Sequence, residues 1–246
     1  MERWQNKIAV VTGASSGIGA ATAKALVAKG MIVVGLDRQL EKMENEIKAS
    51  IPAELQAKFH CKKCDVSKEE CVKETFNWIV NTFGGVDVLI NNAGIITKCN
   101  LLDENNSEDI RNTFEVNVLA GVWCTREAFH SMKQRNFDGH IVNICSIMGH
   151  SIPAGTGFPL NIYPSTKHAV KAMTEVLRQE LQNQHTKIKV TNISPGGVKT
   201  AIYGPTYPDM PTVSGEDIAD AIVYCIQTPP HVQIHEMIIK PIGEQF

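Results

Sequence analysis

The feature that most constrains this chain is the segment Thr12-Gly13-Ala14-Ser15-Ser16-Gly17-Ile18-Gly19. It stands between the apolar run Ile8–Thr12 and the helical pattern of Ala20–Lys29. Glycines there allow a tight turn and let the backbone come close to a bound group. A helix starting just after the turn presents free N–H groups and partial positive charge, which suits a pyrophosphate. A glycine pattern alone is often only a turn. Its place between strand and helix makes it a candidate nucleotide-binding turn and predicts the first unit of a parallel α/β sheet.

The rest of the chain keeps that alternation. Met31–Leu36 is a second apolar run, and charged Gln39–Ala49 is helix-like. Phe59–Val66 is a third predicted strand, followed by a helix over Lys68–Phe83 with Val72, Phe76, Ile79 and Val80 on one face. Val86–Ile90, His140–Cys145, Ile188–Ile193 and Val232–Ile239 complete the predicted strands. Glu108–Arg135 and Ser165–Gln182 read as helices. Continuous apolar strands between amphipathic helices indicate a parallel sheet covered on both faces. The right-handed crossover rule favours a doubly wound, Rossmann-type α/β fold. No composition break or repeat interrupts it, so residues 1–246 are expected to form one domain. The irregular stretches Ser151–Ile162 and Ala201–Ser214 follow strands, where ligand-binding loops of such sheets gather.

Composition excludes more than it selects. A net charge of -2 leaves no basic footprint for nucleic acid. Met1–Lys7 has no apolar core of a secretory signal, and no apolar run approaches the roughly 18 residues of a membrane span. The seven cysteines, odd in number and scattered, fit a reducing compartment, so a cytoplasmic location is expected. Cys61-Lys62-Lys63-Cys64 has half the spacing of a zinc site without a second pair. His231 and His235, four apart in a strand-like run, lie on one face at a distance, with no carboxylates clustered beside them. No metal is expected.

A dinucleotide also needs a group that reads its ribose near the end of the second strand. Asp37 stands about 20 residues past the glycines, where a carboxylate accepts from ribose hydroxyls. It also repels a 2′-phosphate, by roughly 4 kcal/mol per unit charge at ~4 Å and an effective dielectric of 20. Asp37 therefore favours NAD, while Arg38 could clamp a phosphate and permits NADP. Tyr163-Pro164-Ser165-Thr166-Lys167 puts a tyrosine and a lysine on one helix face. An ammonium beside a phenol favours the phenolate, which suits a tyrosine acid/base. Such pairs are common by chance, and the weight here comes from company. Pro164 fits the first helical position, which would make Tyr163 the cap. Ser146, closing the run His140–Cys145, offers a hydroxyl to a substrate oxygen.

Taken together, these motifs resemble those of the short-chain dehydrogenase/reductase family over essentially the whole chain. Thr12–Gly19 resembles its cofactor turn, Asn91-Asn92-Ala93-Gly94 its sheet-end motif, and Pro195-Gly196-Gly197-Val198-Lys199-Thr200 its Pro-Gly motif. Asn117, Ser146, Tyr163 and Lys167 match its catalytic tetrad. The resemblance implies that Tyr163 exchanges the proton, Ser146 orients the substrate oxygen and Asn117 holds a relay water. It implies that Lys167 binds the nicotinamide ribose and lowers the tyrosine's pKa. It assigns cofactor contacts to Gly13, Ser15, Ser16, Gly17, Ile18 and Gly19, to Asp65 and Val66 at the adenine, and to Asn92, Ala93 and Gly94. Pro195, Gly196, Val198, Thr200 and Ile193 would lie at the nicotinamide end. Met1–Trp4, Thr125–Asn136 and Thr228–Pro241 further resemble a group of dehydrogenase/reductase member 11-like and insect farnesol dehydrogenase-like proteins. That group implies hydrophobic alcohols or carbonyls, such as isoprenoids or steroids, and usually NADP. Asp37 departs from it.

Seventeen positions separate Ser146 from Tyr163, a few more than is usual for the family, so the intervening loop is expected to shape a substrate pocket. The expected wall is Ile147, Met148, Ile152, Phe158, Ile202, Tyr203, Tyr207 and Met210, an apolar set suited to a hydrophobic alcohol or ketone. Lys199 could face either the cofactor or solvent. The resemblance implies a homodimer or homotetramer. The competing reading is a non-catalytic nucleotide-binding or scaffold protein of the same fold, against which the intact tetrad counts.

Overall fold

A computed structural model describes residues 1–153, 159–203 and 211–244. Its strands are β1 (Ile8–Thr12), β2 (Ile32–Asp37), β3 (Phe59–Lys63), β4 (Val88–Asn91), β5 (His140–Ile144), β6 (Lys189–Pro195) and β7 (Glu236–Ile239). All pair in parallel in one sheet of order β3-β2-β1-β4-β5-β6-β7. Side chains alternate across each strand, and the apolar runs serve both faces. Ala9 and Val11 of β1 enter one core with Val88, Ile90 and Val142. Ile8 and Val10 enter the other with Leu89 and Ile141. Each fully buried valine, leucine or isoleucine among them contributes about 1.5–3 kcal/mol. The doubly wound α/β expectation is met.

Helices cover both faces. Helix α1 (Gly17–Ala28) lies in the first core through Ala23, Leu26 and Val27. The predicted Gln39–Ala49 helix is less regular: one α-turn, α2 (Leu40–Lys42), runs into a π-turn (Met43–Ile47) and a 3₁₀-turn (Lys48–Ser50). It stops where Pro52 forces Ile51 extended, at φ −82° and ψ 138°. Helix α3 (Glu69–Phe83) buries Val72, Phe76 and Ile79 in the second core. The predicted long helix is present as α4 (Ser107–Phe114), a π-turn (Glu115–Leu119) and α5 (Ala120–Gln134). Helix α6 spans Tyr163–Asn183 and α7 spans Gly215–Gln227.

Three expectations are corrected. Sequence reading placed no helix between β6 and β7, yet α7 lies there and supplies Ile218, Ile222, Val223 and Ile226 to the first core. Its signal was present: Ser214 accepts from the Asp217 backbone N–H at 3.1 Å, and Asp217 accepts in return from the Ser214 N–H at 2.7 Å. The last strand is shorter than Val232–Ile239, because the chain turns at Val232, whose N–H donates to Pro229 O at 2.9 Å. His231 and His235 therefore precede the strand and do not share a strand face. Tyr163 is the first helical residue and not the cap, which is Ile162. Pro164 then falls at the second position, where the missing N–H is still one the helix leaves free.

Candidate active site

The chain passes from β1 to β2 on one side and returns through β4 on the other, so a crevice opens beyond the ends of β1 and β4. Thr12 fastens that point. Its Oγ1 accepts from the N–H groups of Asn92 and Ala93, each at 3.0 Å, and donates to Ile90 O at 3.3 Å. Asn92 Nδ2 donates back to Thr12 O at 2.8 Å and Gly13 O at 3.3 Å. The glycine turn is packed so closely that a β-carbon on Gly19 would lie 2.2 Å from Gly13 O. Gly13 itself adopts φ +69°, with Asn92 Nδ2 2.9 Å from where its β-carbon would be. No larger residue fits either place.

A cavity of about 440 Å³ fills the crevice, within the range of small-molecule sites. Its wall includes the predicted Gly13, Ser15, Ser16, Gly17, Ile18, Asp37, Arg38, Asp65, Val66, Asn92, Ala93 and Gly94. At the other end stand Ser146, Tyr163, Lys167, Pro195, Gly196, Val198 and Thr200. Asp37 is half-buried; its carboxylate accepts from the N–H of Ser15 at 3.2 Å and of Gln39 at 2.9 Å. Arg38 is exposed at the rim. Asp65 Oδ1 accepts from the backbone N–H and hydroxyl of Ser67.

Three predicted residues stand behind the wall. Gly19 supports the turn as described. Ile193 is wholly buried in the first core, and the cavity wall there begins at Pro195. Asn117 sits in the π-turn and lines a separate small void. Its amide is engaged by protein: Oδ1 accepts from Ile95 N–H at 2.8 Å, and Nδ2 donates to Ile95 O at 2.9 Å and Thr166 Oγ1 at 3.1 Å. Thr166 in turn donates to Tyr163 O at 2.6 Å. The Asn117 side chain is thereby a brace between the segment after β4 and the first turn of α6.

Tyr163 and Lys167 are both 5% exposed, and Lys167 Nζ lies 5.5 Å from the tyrosine ring centroid. Nζ donates to Ile144 O at 3.0 Å. Burial pushes the Lys167 ammonium's pKa below its ordinary value, partly offset by Cys145. Ser146 Oγ accepts from Met148 N–H at 3.1 Å, which fixes the hydroxyl at the end of β5. The ring of Tyr163 packs with buried Ile147 and Met148, and with Ile96 and Leu160, which sequence reading missed. Ile202 lines the cavity as expected, joined by Ile95. Ile152 is instead 63% exposed, and Lys199 faces solvent. Phe158, Tyr207 and Met210 lie outside the described residues, as does the side chain of Tyr203. Ile95 and Ile96 directly follow Asn91–Gly94, and that adjacency could have revealed them.

With the crevice, the glycine turn and the Tyr163–Lys167 pair in one cavity, the chain belongs to the short chain dehydrogenase family, whose profile matches residues 7–211. Among individual proteins, it is 49% identical over 249 residues to the farnesol dehydrogenase of Aedes aegypti, with 100% of each chain covered. It is 42% identical to human dehydrogenase/reductase SDR family member 11 over 98% of this chain and 96% of that one. The alcohol dehydrogenase of the archaeon Thermococcus sibiricus, solved with 5-hydroxy-NADP, superposes with a TM-score of 0.84 at 27% identity over 98% of each chain. A serine dehydrogenase complexed with NADP+ gives 0.85 at 26% identity over 97% of this chain and 96% of that one.

Proposed function

We propose that this protein is a nicotinamide-dependent oxidoreductase that interconverts a hydrophobic alcohol and its carbonyl compound. The observation that carries the reading is the Tyr163–Lys167 pair buried on the wall of the same cavity as the glycine turn. The dinucleotide's pyrophosphate would lie at the start of α1, where the first-turn N–H groups have no partner within the helix. Its adenosine would lie by Asp37, Asp65 and Val66, and its nicotinamide by Pro195–Thr200. The bound nucleotide supplies the hydride acceptor or donor.

This chain's own groups handle the proton and the orientation. Ser146 Oγ, held by Met148, presents its own O–H to the substrate oxygen. Tyr163 Oη exchanges the proton with that oxygen, and the Lys167 cation favours the phenolate form. Ile95, Ile96, Ile147, Met148 and Leu160 around the reacting tyrosine form an apolar surround that excludes water. No lysine or arginine besides Lys167 lines the catalytic half among the described residues, which favours an uncharged substrate. Isoprenoid alcohols fit this surface, as the name of the Aedes aegypti relative suggests.

Asp37 favours NAD over NADP, since its remaining lone pairs suit ribose hydroxyls and its charge repels a phosphate. Arg38, exposed at the rim, is the group through which NADP would be accommodated. The NADP-bound relatives make that alternative specific. The test is farnesol oxidation by purified protein with NAD and NADP in parallel, followed at the reduced-nicotinamide absorbance. Faster turnover with NAD is expected. Faster turnover with NADP assigns the site to Arg38, and no turnover of farnesol or a steroid alcohol with either refutes the substrate class.

A further inference from the structure

Glu244 lies beyond β7, far in sequence from every motif above, yet its side chain is only 1% exposed. It reaches the Pro-Gly segment. Its Oε1 accepts from Gly197 N–H at 3.0 Å. Its Oε2 lies so close to Gly196 that a β-carbon on that glycine would stand 2.2 Å away. That oxygen is buried without a hydrogen-bond partner among the described residues, and its nearest cation is Lys240 Nζ at 3.8 Å. Burying a carboxylate this way is unfavourable unless the geometry it fixes compensates. Gly196 lines the cavity and Glu244 does not, so the carboxylate stands behind the cavity wall against that glycine. The same stretch is clamped on its other flank, where Lys199 N–H donates to Val213 O and Val213 N–H to Gly197 O, at 2.8 and 2.9 Å.

We infer that Glu244 is a positioning residue that fixes the Pro195–Val198 wall, so that the segment after β7 determines how tightly the nicotinamide half of the cofactor is held. The inference rests on the dinucleotide reading above. Asp37 and Asp65, placed at the adenosine half, make their hydrogen bonds to Ser15, Gln39 and Ser67 and none to this segment, so that half is held independently of it.

The experiment is calorimetric titration of the full chain and of Glu244→Ala and Glu244→Gln with ADP and with NAD or NADP, alongside kcat and KM. Loss of one charge-assisted hydrogen bond predicts dinucleotide binding weakened about tenfold in Glu244→Ala. ADP binding stays within about twofold, and KM for the dinucleotide rises more than kcat falls. Glu244→Gln keeps an acceptor for Gly197 and recovers most of the affinity. Equal dinucleotide affinity in wild type and Glu244→Ala overturns the inference. So does a parallel loss of ADP binding, which would mark a general disruption. Wild-type protein that binds neither ligand overturns the dinucleotide reading itself.

Discussion

At the scale of single residues, the site combines groups whose roles are separable. In the proposed mechanism Tyr163 supplies the proton and Lys167 the charge, while the glycine turn and Asp37 hold the nucleotide. Tyr163→Phe keeps the ring's packing against Ile147 and Met148 and removes only the hydroxyl. Turnover should fall by roughly 10²–10⁴ while the dissociation constant for the dinucleotide stays within about twofold. Steady-state rates beside titration calorimetry check this, and near-wild-type turnover would refute the acid/base assignment. The chemistry-bearing types Asp37, Ser146, Tyr163 and Lys167 were legible because each sits at a characteristic place relative to a strand or helix end. Asn117 was legible by type but not by action. Only the fold shows its amide turned onto Ile95 and Thr166.

At the scale of elements, the periodic segments were recovered within a few residues because their apolar spacing is dictated by burial. The failures came where another force outweighed periodicity. The Gln39–Ala49 helix gives way to mixed turns ahead of Pro52. The Glu108–Arg135 helix widens into a π-turn at Asn117, a departure often found at functional positions. Helix α7 was missed although its reciprocal cap is written in Ser214 and Asp217. That helix packs against α1, with Gly215 near Gly17 O, so it supports the nucleotide turn from behind. Ser214→Ala should lower stability by about 1 kcal/mol, read as a reduced melting temperature, without a change in substrate specificity. An unchanged melting temperature would show that the cap contributes nothing to holding α7.

At the scale of the whole molecule, a buried histidine carries a prediction about acid and the exposed apolar side chains one about assembly. His140 is wholly buried in β5, with Nε2 2.8 Å from Thr191 Oγ1. Desolvation first, then the charges of Lys189 and Arg3, push its pKa down to about 3. An unfolded histidine takes up a proton near pH 6.5, while the folded one stays neutral until about pH 3. The contribution of His140 to stability is therefore present above about pH 6.5 and is lost as pH falls through that window, by roughly 2 kcal/mol at pH 5. His140→Gln should flatten the melting-temperature profile between pH 7 and 5, and an equally steep profile would assign the acid response to other groups. Tyr224 on α7 and Ile238 on β7 are each 53% exposed, and β7 stands at the edge of the sheet beside β6 among the described residues. A homodimer or homotetramer is expected, and light scattering that gives a monomer mass would refute it. Sequence alone determined the doubly wound sheet, the glycine turn and the pairing of Tyr163 with Lys167 on one helix face, because each is encoded by neighbours within one or two elements. It could not place Glu244 against Gly197, Asn117 against Ile95 or Trp4 Nε1 against Ile226 O. Those contacts join residues 47, 22 and 222 positions apart, and only the closing of the sheet and its helices brings them together.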